Sequence, residues 1–291
     1  MRQIALVFLF LCLASTGGLA QNGAERQRPK IGLVLSGGGA KGAAEVGALK
    51  VIEEVGIPID FIAGTSIGSI VGGLYSLGYR AENLDSLFLS QEWLDLFVKG
   101  NLIGFFEQFT GNDDHADFSA LPIPFACVAV DLKTQREVIL QNGSLARAMR
   151  ASMAIPGIFK PVKVNGRLLV DGGMMNNLPV DVVKKMGADI VIAIDLTQNK
   201  HETRSFSLKN LIGIGGYLDW LVSRPDWKKY NENCKLVDVY INPRMDGYGA
   251  TDFNKEDIRT MMLLGEDAAC QQMAELRKLA LLMGEEMPKR E

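Results

Sequence analysis

Ile62-Ala63-Gly64-Thr65-Ser66-Ile67-Gly68 runs from apolar residues into a serine held between two glycines, and a helical pattern follows at once. The pentapeptide is G-x-S-x-G, in which a serine on a tight strand-to-helix turn projects its hydroxyl from the top of a sheet above a helix N-terminus. Gly64 and Gly68 are needed there because a side chain at either position would collide with the neighbouring strand or helix. In a chain with 31 glycines the pentapeptide alone carries modest weight. Its surroundings carry more.

Upstream, Ile31 to Leu35 is a continuous apolar run, the pattern of a strand buried on both faces of a parallel sheet. Ser36-Gly37-Gly38-Gly39-Ala40-Lys41-Gly42 follows, and then a helix over 43–55 that Gly56 and Pro58 stop. Val46, Leu49 and Ile52 mark its inward face, and Lys50, Glu53 and Glu54 its wet one. A strand over 60–63 leads to Ser66, and the helix after it places Ile67, Ile70, Val71 and Leu74 on one side. Two strands joined by a crossover helix form a βαβ unit, so the expected class is α/β with a mainly parallel sheet.

Further along, strands are expected over 124–130 and 137–140, a helix over 145–153, and a hairpin over 162–170 turning at Asn165-Gly166. A helix over 180–186, a buried strand over 190–195, a strand near 237–241 and one long amphipathic helix over 255–283 complete the pattern. Residues 81–120 hold Trp93, Leu94, Leu96, Phe97, Leu102, Ile103, Phe105, Phe106 and Phe109, read as core-facing positions or the wall of an acyl-chain pocket.

The 291 residues carry a formal charge of −3, with 47% apolar and 22% charged residues. That is an ordinary globular composition, and it offers no basic face for nucleic acid. Residues 1–20 read as a secretory signal peptide: Arg2, an apolar run from Ile4 to Ala14, then Gly18-Leu19-Ala20 for cleavage after Ala20. The expected organisation is therefore this leader, a polar linker over 21–30, and one domain over 31–291. The motif-bearing core of that domain spans 31–196. A secreted or periplasmic location follows from the leader. Cys127, Cys234 and Cys270 fit no disulfide framework or zinc site and read as mostly buried small apolar residues, and two histidines make a metal site improbable.

The chemistry admits several readings. Gly37, Gly39 and Gly42 fit the dinucleotide pattern G-x-G-x-x-G, with Asp60 near the place of a ribose-binding acid. The same glycines, read as an oxyanion hole, aim backbone N–H groups at one point beside a nucleophile. The second reading explains why G-x-S-x-G stands at the end of the next strand; the first does not. A serine also needs a base. His201 or His115 could complete a Ser-His-Asp triad, though both sit among polar loop residues. Asp171 is the other candidate, at the end of an apolar strand and before Gly172-Gly173, and on residue chemistry alone it is equally a turn cap.

Leu35 to Gly42 (LSGGGAKG), Gly64 to Gly68 (GTSIG), Ala151 to Pro161 (ASMAIPGIFKP) and Asp171 to Pro179 (DGGMMNNLP) stand in order and at spacings that resemble the patatin-like phospholipases. The likeness is to bacterial secreted members without a C-terminal barrel. It covers about 31–196, with a weaker echo in Gly247 to Ala269. It implies Ser66 as nucleophile and Asp171 as general base, with Gly37, Gly38, Gly39, Lys41 and Gly42 forming the oxyanion loop and Gly38 and Gly39 its donors. It also implies a three-layer α/β/α sandwich around a mainly parallel sheet, lipid acyl hydrolysis without metal or organic cofactor, a lipid or acyl-ester substrate, and transient contact with a membrane surface. Glu45 stands where bacterial relatives often carry histidine.

Overall fold

The computed structural model describes residues 28–284 apart from 92, 94, 97–99, 114–115 and 199–225. The leader, both histidines, Leu94, Phe97 and Trp220 lie outside the described residues.

Eight strands among the described residues form one sheet. They are β1 (Ile31–Leu35), β2 (Phe61–Thr65), β3 (Phe125–Asp131), β4 (Arg136–Leu140), β5 (Val162–Val164), β6 (Arg167–Asp171), β7 (Ile190–Ile194) and β8 (Val239–Ile241). Their order is β5-β6-β3-β2-β1-β7-β8, with β4 on β3. The central run β3-β2-β1-β7-β8 is parallel, whereas β4, β5 and β6 pair antiparallel. Both faces are covered, which is why the parallel strands read as unbroken apolar runs. Ile31, Leu33 and Leu35 point into one apolar cluster and Val34 into the other.

The larger cluster lies under α1 (Ala43–Val55), α2 (Ile67–Ser76), α3 (Ala81–Ser90), α4 (Leu102–Thr110) and α5 (Leu145–Ser152). Past the short α6 (Gly173–Asn176), α7 (Val180–Met186) and α8 (Trp227–Cys234) cover the opposite face, completing the three layers. The last segment is two helices, α9 (Lys255–Gln271) and α10 (Met273–Leu282). The single helix expected over 255–283 breaks at Gln272, whose N–H turns back to the Ala269 and Cys270 carbonyls. No Pro or Gly stands at the break. The bend is decided by tertiary packing, with Ile258, Met261 and Met262 buried before it and Leu276, Leu279 and Ala280 after it.

Helix α1 is more deeply enclosed than its amphipathic pattern implies, because α9 lies on its outer side. A Cβ added at Gly47 would sit 1.9 Å from the Met262 carbonyl oxygen, and one at Gly265 1.9 Å from that of Ala44. The two backbones touch where both helices carry glycine. Glu45 is fully buried in this layer, and Lys50 bridges Asp85 at 2.5 Å and Glu266 at 3.3 Å. Trp93 and Phe106 are buried, and Trp93 packs on Phe88, Phe105 and Phe253, so these aromatics of the 81–120 region belong to the core. Cys127 is buried, whereas Cys270 is exposed, contrary to the expectation for that residue.

Candidate active site

Ser66 occupies the single residue between β2 and α2, with φ 54° and ψ −122°. A non-glycine residue in that region costs of order 1–3 kcal/mol and persists only where its surroundings hold it. Here they do. The Ser66 N–H donates to Ser152 Oγ at 3.0 Å, and the Ser152 hydroxyl donates onward to the Val128 carbonyl at 2.6 Å. From the other side, the Ser69 N–H and hydroxyl donate to the Ser66 carbonyl at 2.9 and 2.6 Å. Both flanking glycines are close-approach positions: a Cβ at Gly64 would lie 2.3 Å from the Gly68 carbonyl oxygen, and one at Gly68 2.5 Å from that of Leu35.

Asp171 meets this serine because two strands share one edge of β3. Thr65 at the end of β2 pairs with Val128, and Asp171 at the end of β6 pairs with Ala129, the next residue. β4 pairs with Cys127 through Asp131 on the other edge, so β2 and β6 must abut end to end. The Ser66 hydroxyl donates to Asp171 Oδ2 at 2.7 Å, and the Gly173 N–H donates to Oδ1 at 2.7 Å. Ser66 is 7% exposed and Asp171 4%. Burial pushes the Asp171 carboxyl up to about 6, against the lowering by the hydrogen bonds from Ser66 and Gly173.

The glycine loop lies against the serine: a Cβ at Gly37 would stand 3.0 Å from Ser66 Cβ. Its five expected residues divide by what their atoms do. The Gly37 N–H is taken by Asn177, at 3.1 Å to Oδ1 and 3.4 Å to the carbonyl. The Lys41 N–H donates to the Gly38 carbonyl at 3.4 Å, and Gly42 presses on Ile67, which a Cβ would meet at 2.3 Å. Among the described residues nothing accepts from the Gly38 or Gly39 N–H. Gly39 has φ +60°, and a Cβ there would lie 2.3 Å from the Ala250 carbonyl oxygen, which instead accepts from the Ala40 N–H at 2.9 Å.

Sequence reasoning did not single out Asn177. Its Nδ2 donates back to the Gly37 carbonyl at 3.1 Å, so this side chain imitates a strand neighbour and fixes the loop at two points. Because it is six residues after Asp171, one segment positions both the carboxylate and the glycine loop. Nδ2 also reaches Thr197 Oγ1 at 3.4 Å, and the Thr197 N–H donates to Asp195 Oδ1 at 2.9 Å. Tyr230 and Tyr240 each donate to Asp195 Oδ2 at 2.5 Å. Ser152 and Asn177 fall inside the quoted motifs, but only the fold shows what they touch. Glu45 lies close by: burial holds its carboxyl well above the usual carboxylate range, opposed by the Ser36 backbone and reinforced by the Asp195 charge.

Asp60 decides against the dinucleotide reading. It stands before β2, at the opposite end of the strands from the glycine loop, and is engaged by Arg28 at 2.7 and 2.8 Å and by the Ile31 N–H at 2.7 Å. His115 and His201 lie outside the described residues.

A three-layer sandwich with a buried Ser-Asp pair beside open glycine amides is a serine-hydrolase arrangement. The family model for patatin-like phospholipases matches residues 33–116 and 84–184, and the chain belongs to that family. It is 32% identical over 265 residues to lysophospholipase nte1 of Aspergillus fumigatus, covering 78% of this chain and 17% of that protein. It is 35% identical over 278 residues to patatin-like phospholipase domain-containing protein 6 of Mus musculus, covering 78% and 19%. The chain thus spans less than a fifth of these relatives' length. The crystal structure of VipD from Legionella pneumophila superposes with a TM-score of 0.51 at 15% identity, covering 85% of this chain and 67% of that one, a likeness of fold.

Proposed function

We propose that this chain is a lipid acyl hydrolase in which Ser66 attacks an ester carbonyl and Asp171 is the general base. The observation that carries this is the 2.7 Å bond from the Ser66 hydroxyl to Asp171 Oδ2 in a site sheltered from water. A carboxylate whose proton affinity is raised to about 6 is still ionised at neutral pH, and is a better proton acceptor than an exposed aspartate. As the Ser66 Oγ–carbonyl carbon bond forms, its proton passes to Asp171 Oδ2. The developing oxyanion is received by the Gly38 and Gly39 amides, whose freedom from other acceptors among the described residues supports that role. Asp171 returns the proton to the leaving alcohol, and water then releases the fatty acid with Asp171 again as base. The Asn177 clamp on Gly37 keeps the donors in register with the nucleophile.

The names of the similar proteins make lysophospholipids the first substrates to examine. Purified chain should hydrolyse p-nitrophenyl butyrate and release fatty acid from lysophosphatidylcholine, and Ser66→Ala should lose both by a factor of 10² or more. Full activity in Ser66→Ala would remove the nucleophile from this scheme. The reading extends to location: Arg2, the Ile4–Ala14 run and Ala20 support a cleaved leader and a secreted or periplasmic enzyme. N-terminal sequencing of protein from the host should then begin at Gln21, and recovery of an intact Met1 would overturn it.

A further inference from the structure

The β3–β4 turn and the β5–β6 turn lie side by side. The Leu132 N–H donates to the Leu168 carbonyl at 2.9 Å, and Lys163 pairs with Leu168 across the hairpin. Directly opposed residues of antiparallel strands share a face, so Lys163, Leu168 and Leu132 form one row. Leu168 is 49% exposed and Leu132 47%, although leucines elsewhere in this sheet are buried. Lys133 stands exposed in the turn beside them, and Arg136 (opposite Asp131) and Arg167 (next to Leu168 along β6) are exposed on the other face of the same tip. The one acid within 131–136 is Asp131, whose carboxylate accepts from the Lys133 N–H at 2.9 Å and lies near Arg167; Glu137, just beyond, is paired with Lys229, and residues 160–168 contain no acid. A cationic tip with two bare leucines therefore projects from a chain whose net charge is −3.

Its position relative to the site follows from register. β3 pairs with Thr65 at Val128, and the extended chain reaches Leu132, just past the end of β3, four residues further, about 13 Å beyond the end of β2 at ~3.3 Å per residue. Leu168 precedes Asp171 by three residues of the same strand, about 10 Å. The tip thus stands at the end of the sheet where Ser66 and Asp171 meet.

We propose that this tip is a docking surface for an anionic phospholipid bilayer. Leu132 and Leu168 enter the headgroup region while Lys133, Lys163, Arg136 and Arg167 pair with lipid phosphates and carboxylates. The inference rests on the acyl-hydrolase reading for the bilayer's role as the substrate's home. The combination selects the partner: a polyanion such as RNA would use the cations and gain nothing from the leucines. An uncharged apolar partner would not repay four cations brought together at one tip. No helix among the described residues is long and apolar enough to cross a membrane, and a surface contact of this kind needs none.

The test uses the full chain carrying Ser66→Ala, so that vesicles are not degraded, sedimented with phosphatidylcholine vesicles with and without phosphatidylserine. Binding should be much stronger with phosphatidylserine and should weaken with salt. Each basic residue near an anionic surface contributes about fivefold in partition, so K133E/K163E/R167E should bind on the order of 100-fold more weakly. L132N/L168N should cost about tenfold. In the Ser66 background both variants should hydrolyse soluble p-nitrophenyl butyrate at the parent rate, which also shows that they fold. Equal binding to the two vesicle types, or unchanged binding by the charge-reversed variant, overturns the proposal. Unchanged binding by the leucine variant does so as well, since a merely polyanionic partner would give that result. Vesicle binding with no hydrolysis of the soluble ester would instead overturn the acyl-hydrolase reading and leave the docking surface standing.

Discussion

Replacing Asp171 by asparagine should stabilise the fold while disabling the chemistry. The carboxyl is 4% exposed and burial lifts it to about 6 from the usual aspartate value near 4. A folded-state value raised above the unfolded one means that folding favours the proton. The penalty for carrying the ionised form therefore opens as pH rises past the unfolded value and is complete above the folded one. Each tenfold change in proton affinity is worth about 1.4 kcal/mol, so the ionised side chain costs about 3 kcal/mol at pH 7.5 and about half that at pH 5. Asparagine keeps the shape, its Oδ1 still accepts from the Gly173 N–H, and it has no charge to desolvate. Urea denaturation of both proteins at pH 7.5 and pH 5 measures the difference: Asp171→Asn should unfold at higher denaturant, by a margin that shrinks with acidity. Hydrolysis of p-nitrophenyl butyrate should fall by about 10²–10⁴ with the base gone. In the parent enzyme kcat/KM should rise with pH through about 6 and then level. A destabilised Asp171→Asn, or a margin independent of pH, would refute the buried-carboxylate argument.

Asn177→Ala removes both hydrogen bonds to Gly37, and a loop displaced by an ångström misplaces its donors, so kcat should fall about 10²-fold with KM little changed. Burial keeps the Glu45 carboxyl raised, so its ionised form also penalises the fold as pH rises above the ordinary glutamate value. Glu45→Gln should therefore raise the denaturation midpoint at pH 7 and lose that advantage in acid, which urea titrations at the two pH values would show. Gly265→Ala places a methyl 1.9 Å from the Ala44 carbonyl oxygen and must push α9 off α1, at a cost of about 1–3 kcal/mol or more in thermal unfolding.

Local chemistry was readable wherever local rules decided it. The apolar runs of β1 and β7, the α1 boundaries, the Asn165-Gly166 turn and the serine between two glycines each follow from a few adjacent residues. Sequence reasoning left Asp171 undecided between base and turn cap, and the likeness to a family, not residue chemistry, favoured the base. The fold shows why no local rule could settle it, since Asp171 reaches Ser66 only because β2 and β6 divide one edge of β3. The same holds for Asp60, whose spacing imitated a ribose ligand while its strand carries it to the far end of the sheet. The 255–283 pattern marked the right buried face but not the bend at Gln272, which packing against α1 decides.

Composition, periodicity and four short motifs therefore determined by themselves the α/β class, the strand-turn-serine-helix unit and the residue types of the site. Those are properties of φ/ψ preference and hydrophobic spacing, which act over a few residues. Tertiary structure alone decided which amides of the glycine loop stay open, what Asn177 and Ser152 hold, and how far burial lifts Asp171. Each of these depends on groups about a hundred residues apart being brought to about 3 Å and shut away from water.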